Sequence, residues 1–182
     1  GGEYYAGLAT STTFIAKDSS LIYRLAAVTP EGTHVADRSM TVRILRREWR
    51  SVRKAQTGGR YAWESEVDNV LVDSLHVATG PEPVLRTYQP KDPGFYFIDV
   101  RSTDPRGNAV STQSYFYVTG DGYVPWERSN DDRIELIADK EQYRPGDVAR
   151  VMVKSPYEET TALLTVEREG IVKSLRSQLT LP

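Results

Sequence analysis

The sequence contains no cysteine among its 182 residues. Without a thiol the chain cannot form a disulfide, a thiolate metal site or a cysteine nucleophile. It also lacks any run of about 18 apolar residues, so the sequence predicts no transmembrane helix. The net charge is only -2, and nothing in the charge balance indicates binding to nucleic acid or to an anionic membrane.

Motifs for catalysis and cofactor binding are missing as well. The two histidines, His34 and His76, show neither His-x-His nor His-Glu-x-x-His spacing. There is no Gly-x-Ser-x-Gly nucleophile elbow and no glycine-rich phosphate loop. We therefore expect no catalytic residue, no cofactor-binding residue, no metal ligand and no cofactor, and we expect that the chain is not an enzyme.

Calcium is a weaker alternative, because extracellular modules build inter-domain calcium sites from carboxylates. Four aspartates lie close together in the sequence: Asp121, Asp131, Asp132 and Asp139. Their spacing matches no EF-hand loop, and carboxylates are common in exposed linkers, so an ordinary polar linker is the favoured interpretation.

Alternating apolar and polar residues occur along most of the chain, and turn residues separate the alternating segments. Leu21, Tyr23, Leu25 and Ala27 fall on one side of a predicted strand. Strands are also predicted around 40–49, 70–78, 84–88, 95–103 and 109–118. A turn at Asp104–Asn108 joins the last two as a hairpin. We predict that residues 3–119 form one complete antiparallel β-sandwich of immunoglobulin type, in an all-β chain.

A second unit is predicted after a linker at residues 120–132. From Arg133 to Glu169 the period-two pattern occurs three times, which predicts three antiparallel strands with one buried face. Pro145-Gly146 predicts a type II turn between two of them. About four strands in roughly 50 residues are too few for a whole sandwich. Residues 133–182 are therefore predicted to be the N-terminal part of a second, incomplete sandwich.

The segment from Arg46 to Tyr61 is unusually basic and predicts a long hairpin that projects past the sheet. We place its turn at Gly58-Gly59 and expect Trp49 and Trp63 to face each other across it. The arginines form either a binding patch or a charged guard on an exposed edge strand. The guard is favoured, because nearby glutamates offset the positive charge.

Several short motifs stand out: Asp139-Lys140, Tyr143–Asp147, Lys154–Tyr157, Thr165–Ile171, and Arg46–Trp49 with the later Tyr61-x-Trp63. In combination they resemble the bacterial alpha-2-macroglobulin family. Members of that family are large chains of macroglobulin-like β-sandwiches that trap proteases after cleavage of an exposed bait segment. Many attach to the protease through a Cys-to-Gln thioester, and the bacterial forms are typically periplasmic and often lipid-anchored.

The resemblance implies that this chain is scaffold within a longer parent polypeptide, a broad-spectrum endopeptidase inhibitor. Implied partners are proteases, bound through the full-length parent, and neighbouring macroglobulin-like domains, with no nucleic acid and no direct membrane contact. The implied location is periplasmic or extracellular. No thioester residue can be assigned, because the chain has no cysteine. Two alternatives stay open: an immunoglobulin-like stalk or adhesin module of a bacterial surface protein, and an accessory module of a hydrolase.

Overall fold

A computed structural model describes residues 2–56, 60–120, 134–155, 157 and 159–180. In these residues the chain forms strands and no helix, so the all-β fold class is confirmed. Accordingly, these ranges contain no helix that is long and apolar enough to span a membrane. The strands are β1 Tyr5–Thr10, β2 Phe14–Ala16, β3 Leu21–Val28, β4 Ser39–Gln56, β5 Arg60–Ala78, β6 Val84–Tyr88, β7 Gly94–Thr103, β8 Ala109–Thr119, β9 Glu135–Ala138, β10 Val151–Lys154, β11 Glu159–Glu167 and β12 Ile171–Thr180.

The first eight strands form two sheets, in the orders β1-β3-β6 and β2-β8-β7-β4-β5. Antiparallel pairing was predicted throughout, and this is wrong at one place, because β2 runs parallel to β8. Thr10 at the end of β1 pairs with Tyr23 in the smaller sheet, whereas Phe14 at the start of β2 pairs with Tyr117 in the larger one. The chain thus crosses between sheets at residues 11–13 without reversing direction.

The core lies between these two sheets and follows from the alternation in the sequence. On β3, Leu21, Tyr23 and Leu25 are at most 1% exposed, and on β7 Ile98 and Val100 are fully buried. Period two places such residues on one face of each strand, and full burial of a large apolar side chain contributes roughly 1.5–3 kcal/mol. The predicted inward face of β3 is confirmed.

The turn at Asp104–Asn108 joins β7 to β8 as predicted. The buried Asp104 carboxylate accepts hydrogen bonds from the backbone N–H groups of Arg106, Asn108 and Glu3 at 2.9, 2.8 and 3.2 Å, and from the Asn108 amide at 2.9 Å. The Asn108 side-chain bond, followed by the backbone bonds, lowers the pKa of Asp104 to about 2. Gly107 takes a φ of 85°, which glycine adopts without strain. Asp104 therefore joins the hairpin turn to the backbone at Glu3, just before β1.

The predicted projecting hairpin is confirmed. Strands β4 and β5 pair along their whole lengths, whereas β7 pairs with β4 only from Thr41 to Arg47. Beyond Arg47 the two strands continue as a two-stranded ribbon, called the arm below. Ile44 pairs with Asp73 and Leu45 with Leu71, so Val72 is an extra residue in β5 at the base of the arm. Such a bulge increases the local twist and changes the direction of a ribbon.

The predicted pairing of the arm's tryptophans is wrong. Trp49 pairs with Val67, and Trp63 pairs with Arg53. The two strands are paired symmetrically about residue 58, so the partner of residue 49 is residue 67 rather than 63. The Gly58-Gly59 turn lies outside the described residues.

The second unit contains the predicted strands, but not the predicted buried face. Strands β9 and β10 pair with each other, as do β11 and β12. Asp147 N–H donates to the carbonyl of Arg144 at 3.0 Å and Gly146 has a φ of 95°, which confirms the type II turn. However, Leu136 and Val166 are each 54% exposed. A sheet buries a face only against another layer, and no described strand covers these residues.

Candidate interaction surface

Five aromatic side chains form a contiguous group on the outer face of the larger sheet. The group is called the outer aromatic cluster, and its members are Trp49, Phe95, Phe97, Tyr115 and Tyr117. The ring centroid of Phe95 lies 6.3 Å from Trp49, 5.1 Å from Phe97, 5.7 Å from Tyr115 and 4.9 Å from Tyr117. These offset and tilted arrangements are the favourable ones for aromatic rings. The cluster forms because β4, β7 and β8 lie side by side in the sheet, with β7 in the middle. Their outward-facing aromatic side chains are therefore close to one another.

Arg47 lies over this cluster. Its guanidinium carbon is 4.4 Å from the ring centroid of Phe97 and 5.5 Å from that of Phe95, which are cation–π distances. Its Nε donates to the side-chain oxygen of Asn69 at 3.2 Å. Within the described residues Arg47 has no carboxylate partner. Arg47 therefore places a positive charge on an apolar surface, and no carboxylate of the described residues neutralises that charge.

Two further arginines on the same face share one carboxylate. Asp99 is 8% exposed, and its carboxylate lies 2.8 Å from Arg101 Nε and 4.0 Å from an Arg43 terminal nitrogen. Among the described side chains of β4, β7 and β8, the outer face thus presents three guanidinium groups and one carboxylate. This local excess of positive charge contrasts with the net charge of -2 for the whole chain.

Arg46 points to the opposite side of β4 and anchors the base of the arm. Its two terminal nitrogens contact Glu48 at 2.6 Å and Asp92 at 2.7 Å. Because Asp92 lies in the loop before β7, this arginine joins the arm to the sheet. The expectation that the basic segment guards an edge is wrong for Arg46 and Arg47. Up to Arg47, β4 lies between β7 and β5, and β5 is the edge strand.

The second unit contacts the first beside the outer aromatic cluster. The backbone N–H and the hydroxyl of Thr13 donate to the carbonyls of Asp139, at 3.2 Å, and of Ala138, respectively. Lys154 Nζ lies 5.5 Å from the Tyr117 ring centroid and pairs with Glu135 at 2.6 Å. Burial and then the charge of Glu135 raise the pKa of Tyr117 to about 12. The β9–β10 hairpin therefore covers the β8 end of the cluster.

The histidines and aspartates considered from the sequence do not assemble into a site in the described part of the chain. The Nδ1 atom of His34 is 3.1 Å from the Pro81 carbonyl, and that of His76 is 3.2 Å from the Thr41 hydroxyl. Asp139 accepts from the Tyr143 hydroxyl at 2.5 Å, which lowers the pKa of Asp139. The other three aspartates of the calcium alternative lie outside the described residues. No group of three or more His, Asp or Glu side chains in the described ranges could hold a metal ion.

Sequence reasoning missed the outer aromatic cluster. Its signal was present in β7 and β8, where both alternating faces are apolar or aromatic: Phe95 and Phe97 alternate with Tyr96 and Ile98. A strand of an antiparallel sheet with one solvated face should alternate with polar residues instead. A second apolar face therefore indicates a second contact.

Two facing sheets with the core between them define an immunoglobulin-like β-sandwich, and its structural relatives are macroglobulin-like domains. The native conformation of Escherichia coli alpha-2-macroglobulin matches 98% of this chain and 13% of that one, with a TM-score of 0.53 at 16% identity. Residues 9–120 match the family model described as bacterial macroglobulin domain 6. The chain belongs to this family of bacterial macroglobulin domains.

Curated relatives agree with this assignment. An alpha-2-macroglobulin homolog of Nostoc sp. is 23% identical over 151 residues, which is 83% of this chain and 8% of that protein. A homolog of Yersinia pestis is 21% identical over 159 residues, or 87% of this chain and 8% of that protein. The chain thus spans about 8% of the length of these relatives. The predicted family is confirmed, and the stalk or adhesin alternative is not favoured.

Proposed function

We propose that this chain is a structural module of a bacterial alpha-2-macroglobulin that inhibits endopeptidases by trapping them. In this role the chain performs no chemistry, sets the spacing of neighbouring domains and transmits their movement after the parent has been cleaved. The match of residues 9–120 to a bacterial macroglobulin domain carries the proposal. The closed core of the first sandwich and its direct hydrogen bonds to the second unit at Thr13 also support it.

The domain limits we propose are residues 3–119 for the complete sandwich, 120–132 for the linker and 133–182 for part of a second sandwich. The exposed apolar residues of β9–β12 support a second sandwich whose other strands would cover them. The partners would be proteases, bound by the full-length parent, and adjoining macroglobulin-like domains. The parent would act in the periplasm or outside the cell.

The test uses the full-length parent protein with added trypsin. We expect the parent to become more compact on gel filtration. We also expect the bound trypsin to cleave a small peptide substrate while sparing a large protein substrate. Degradation of the parent with trypsin still active on large proteins would overturn the proposal. Trypsin inactivated beforehand is the control, because it should cause no compaction.

A further inference from the structure

We propose that Arg47 and the accessible members of the outer aromatic cluster, Trp49, Phe95 and Tyr115, form a docking surface for an acidic segment of another domain in the same parent polypeptide. This inference rests on the proposed function, since it requires a parent with further domains. The occupant would place an apolar side chain against Tyr115 and Trp49 and a carboxylate against Arg47.

The composition of the surface is typical of a protein interface. Tyr115 is 53% exposed, although its ring contacts Phe95 at a centroid distance of 5.7 Å. An outer sheet face in water is normally polar, whereas Trp, Tyr and Arg are the residues enriched at the energetic centres of protein interfaces. The apolar strip continues onto β5, where Val67 and Leu71 are 47% and 50% exposed opposite Trp49 and Leu45.

The charge of the surface favours an acidic partner. Arg47 has its side chain held in place by two rings and Asn69, and it lacks a carboxylate partner among the described residues. Arg43 and Arg101 add one further uncompensated charge on the same face of the sheet, since they share Asp99. A partner with Asp or Glu would be attracted, and a positively charged partner would be repelled.

The existing contact beside this surface favours an occupant from the same polypeptide. At its β8 end the same face already packs against the β9–β10 hairpin of its own chain, through Lys154 on Tyr117. An intramolecular neighbour would extend this interface towards the arm. A second copy of the chain fits poorly, because a two-fold contact would place the arginines of one face against the same arginines of the other.

The first experiment places a photoreactive benzoylphenylalanine at position 115 of the full-length parent. We expect an intramolecular cross-link to a stretch outside residues 2–180 that contains Asp or Glu near the attachment point. The matched control carries the same group at Leu85, which is 57% exposed on the smaller sheet and should not give that cross-link. The proposal is overturned by cross-links to a second copy or to a protease only, and equally by the absence of any cross-link.

The second experiment tests the charge with the same reporter at position 115. Arg47→Glu should lower the cross-link yield about fivefold or more, whereas Arg47→Lys should retain most of it. Arg86→Glu reverses a charge on the smaller sheet and should change nothing. Circular dichroism of each variant checks that the β-sheet signal is preserved. An unchanged yield in a folded Arg47→Glu parent would overturn the proposal. The trypsin assay is a separate readout, so the cross-link can succeed where trapping fails, and the reverse.

Discussion

The two units of this chain have the same sequence pattern and very different burial. In the first unit, the alternating apolar residues of β3 and β7 are at most 1% exposed at positions such as Leu25 and Ile98. In the second unit, Leu136 and Leu175 are 54% and 56% exposed, although they also alternate along paired strands. Alternation thus specifies a strand and its candidate inner face, while burial requires an opposing layer.

The two units should differ most in how much stability they lose when a large apolar side chain is shortened. Ile98→Ala removes a fully buried side chain and should lower the free energy of unfolding by about 2–5 kcal/mol. Leu164→Ala, at a position 38% exposed in β11, should cost less than about 1 kcal/mol. Chemical denaturation of the 182-residue chain measures both. Equal losses would mean that β11 is packed as firmly as β7, and the contrast between the units would fail.

The ionised carboxylate of Asp104, which holds the β7–β8 turn, should make the stability of the first unit depend on pH. Because hydrogen bonding lowers the pKa of Asp104 to about 2, its ionised form stabilises the fold above the unfolded pKa of about 4. This stabilisation is lost as the pH falls from about 4 through about 2. Asp104→Asn should therefore be less stable than the wild type at pH 7, with a difference that narrows as acid is added.

Unfolding curves at several pH values measure that difference. Asp37→Asn serves as the control, since Asp37 is exposed and its carboxylate accepts no hydrogen bond in the described part of the chain. The control removes a carboxylate that accepts no hydrogen bond among the described residues, so it should change the stability little. A constant difference between Asp104→Asn and the wild type across this pH range would exclude the ionised carboxylate as the stabilising species.

Features that depend only on residues adjacent in the sequence could be predicted. Pro145-Gly146 and Asp104–Asn108 define their turns through local backbone preferences, and both turns are confirmed. The inward residues of β3 are confirmed for the same reason, because period two is a property of the strand itself. The family resemblance came from equally local motifs.

Features that depend on which strands become neighbours could not be predicted in the same way. The outer aromatic cluster needs β4, β7 and β8 side by side, and residues 49 and 115 are far apart in sequence. The parallel pairing of β2 with β8 likewise depends on a crossing between sheets. The Trp49 pairing failed because pairing residues 49 and 63 centres the hairpin on residue 56, whereas the two strands pair about residue 58. A shift of the turn changes every partner along a hairpin.

A smaller effect should be confined to the second unit. Gly146 has a φ of 95°, a conformation that costs an alanine about 1 kcal/mol. Gly146→Ala should therefore reduce the hydrogen-exchange protection of Val151–Val153 about fivefold and leave Tyr96–Val100 unchanged. Gly170→Ala is the control, because no atom lies within 4 Å of its added methyl group and its φ is not in the left-handed region. Reduced protection in β7 as well would show that the two units open together.

The smallest effect should come from Arg47, whose cation–π contacts contribute about 0.5–1 kcal/mol at an exposed site. Arg47→Met keeps an extended side chain over Phe95 and Phe97 but removes the charge. The decrease in the free energy of unfolding should therefore stay within that range. Arg86→Met, on the smaller sheet, should change the free energy of unfolding by less. A gain in stability for Arg47→Met would show that the positive charge opposes the fold of the isolated chain. In that case only a partner that brings a carboxylate would compensate the charge of Arg47.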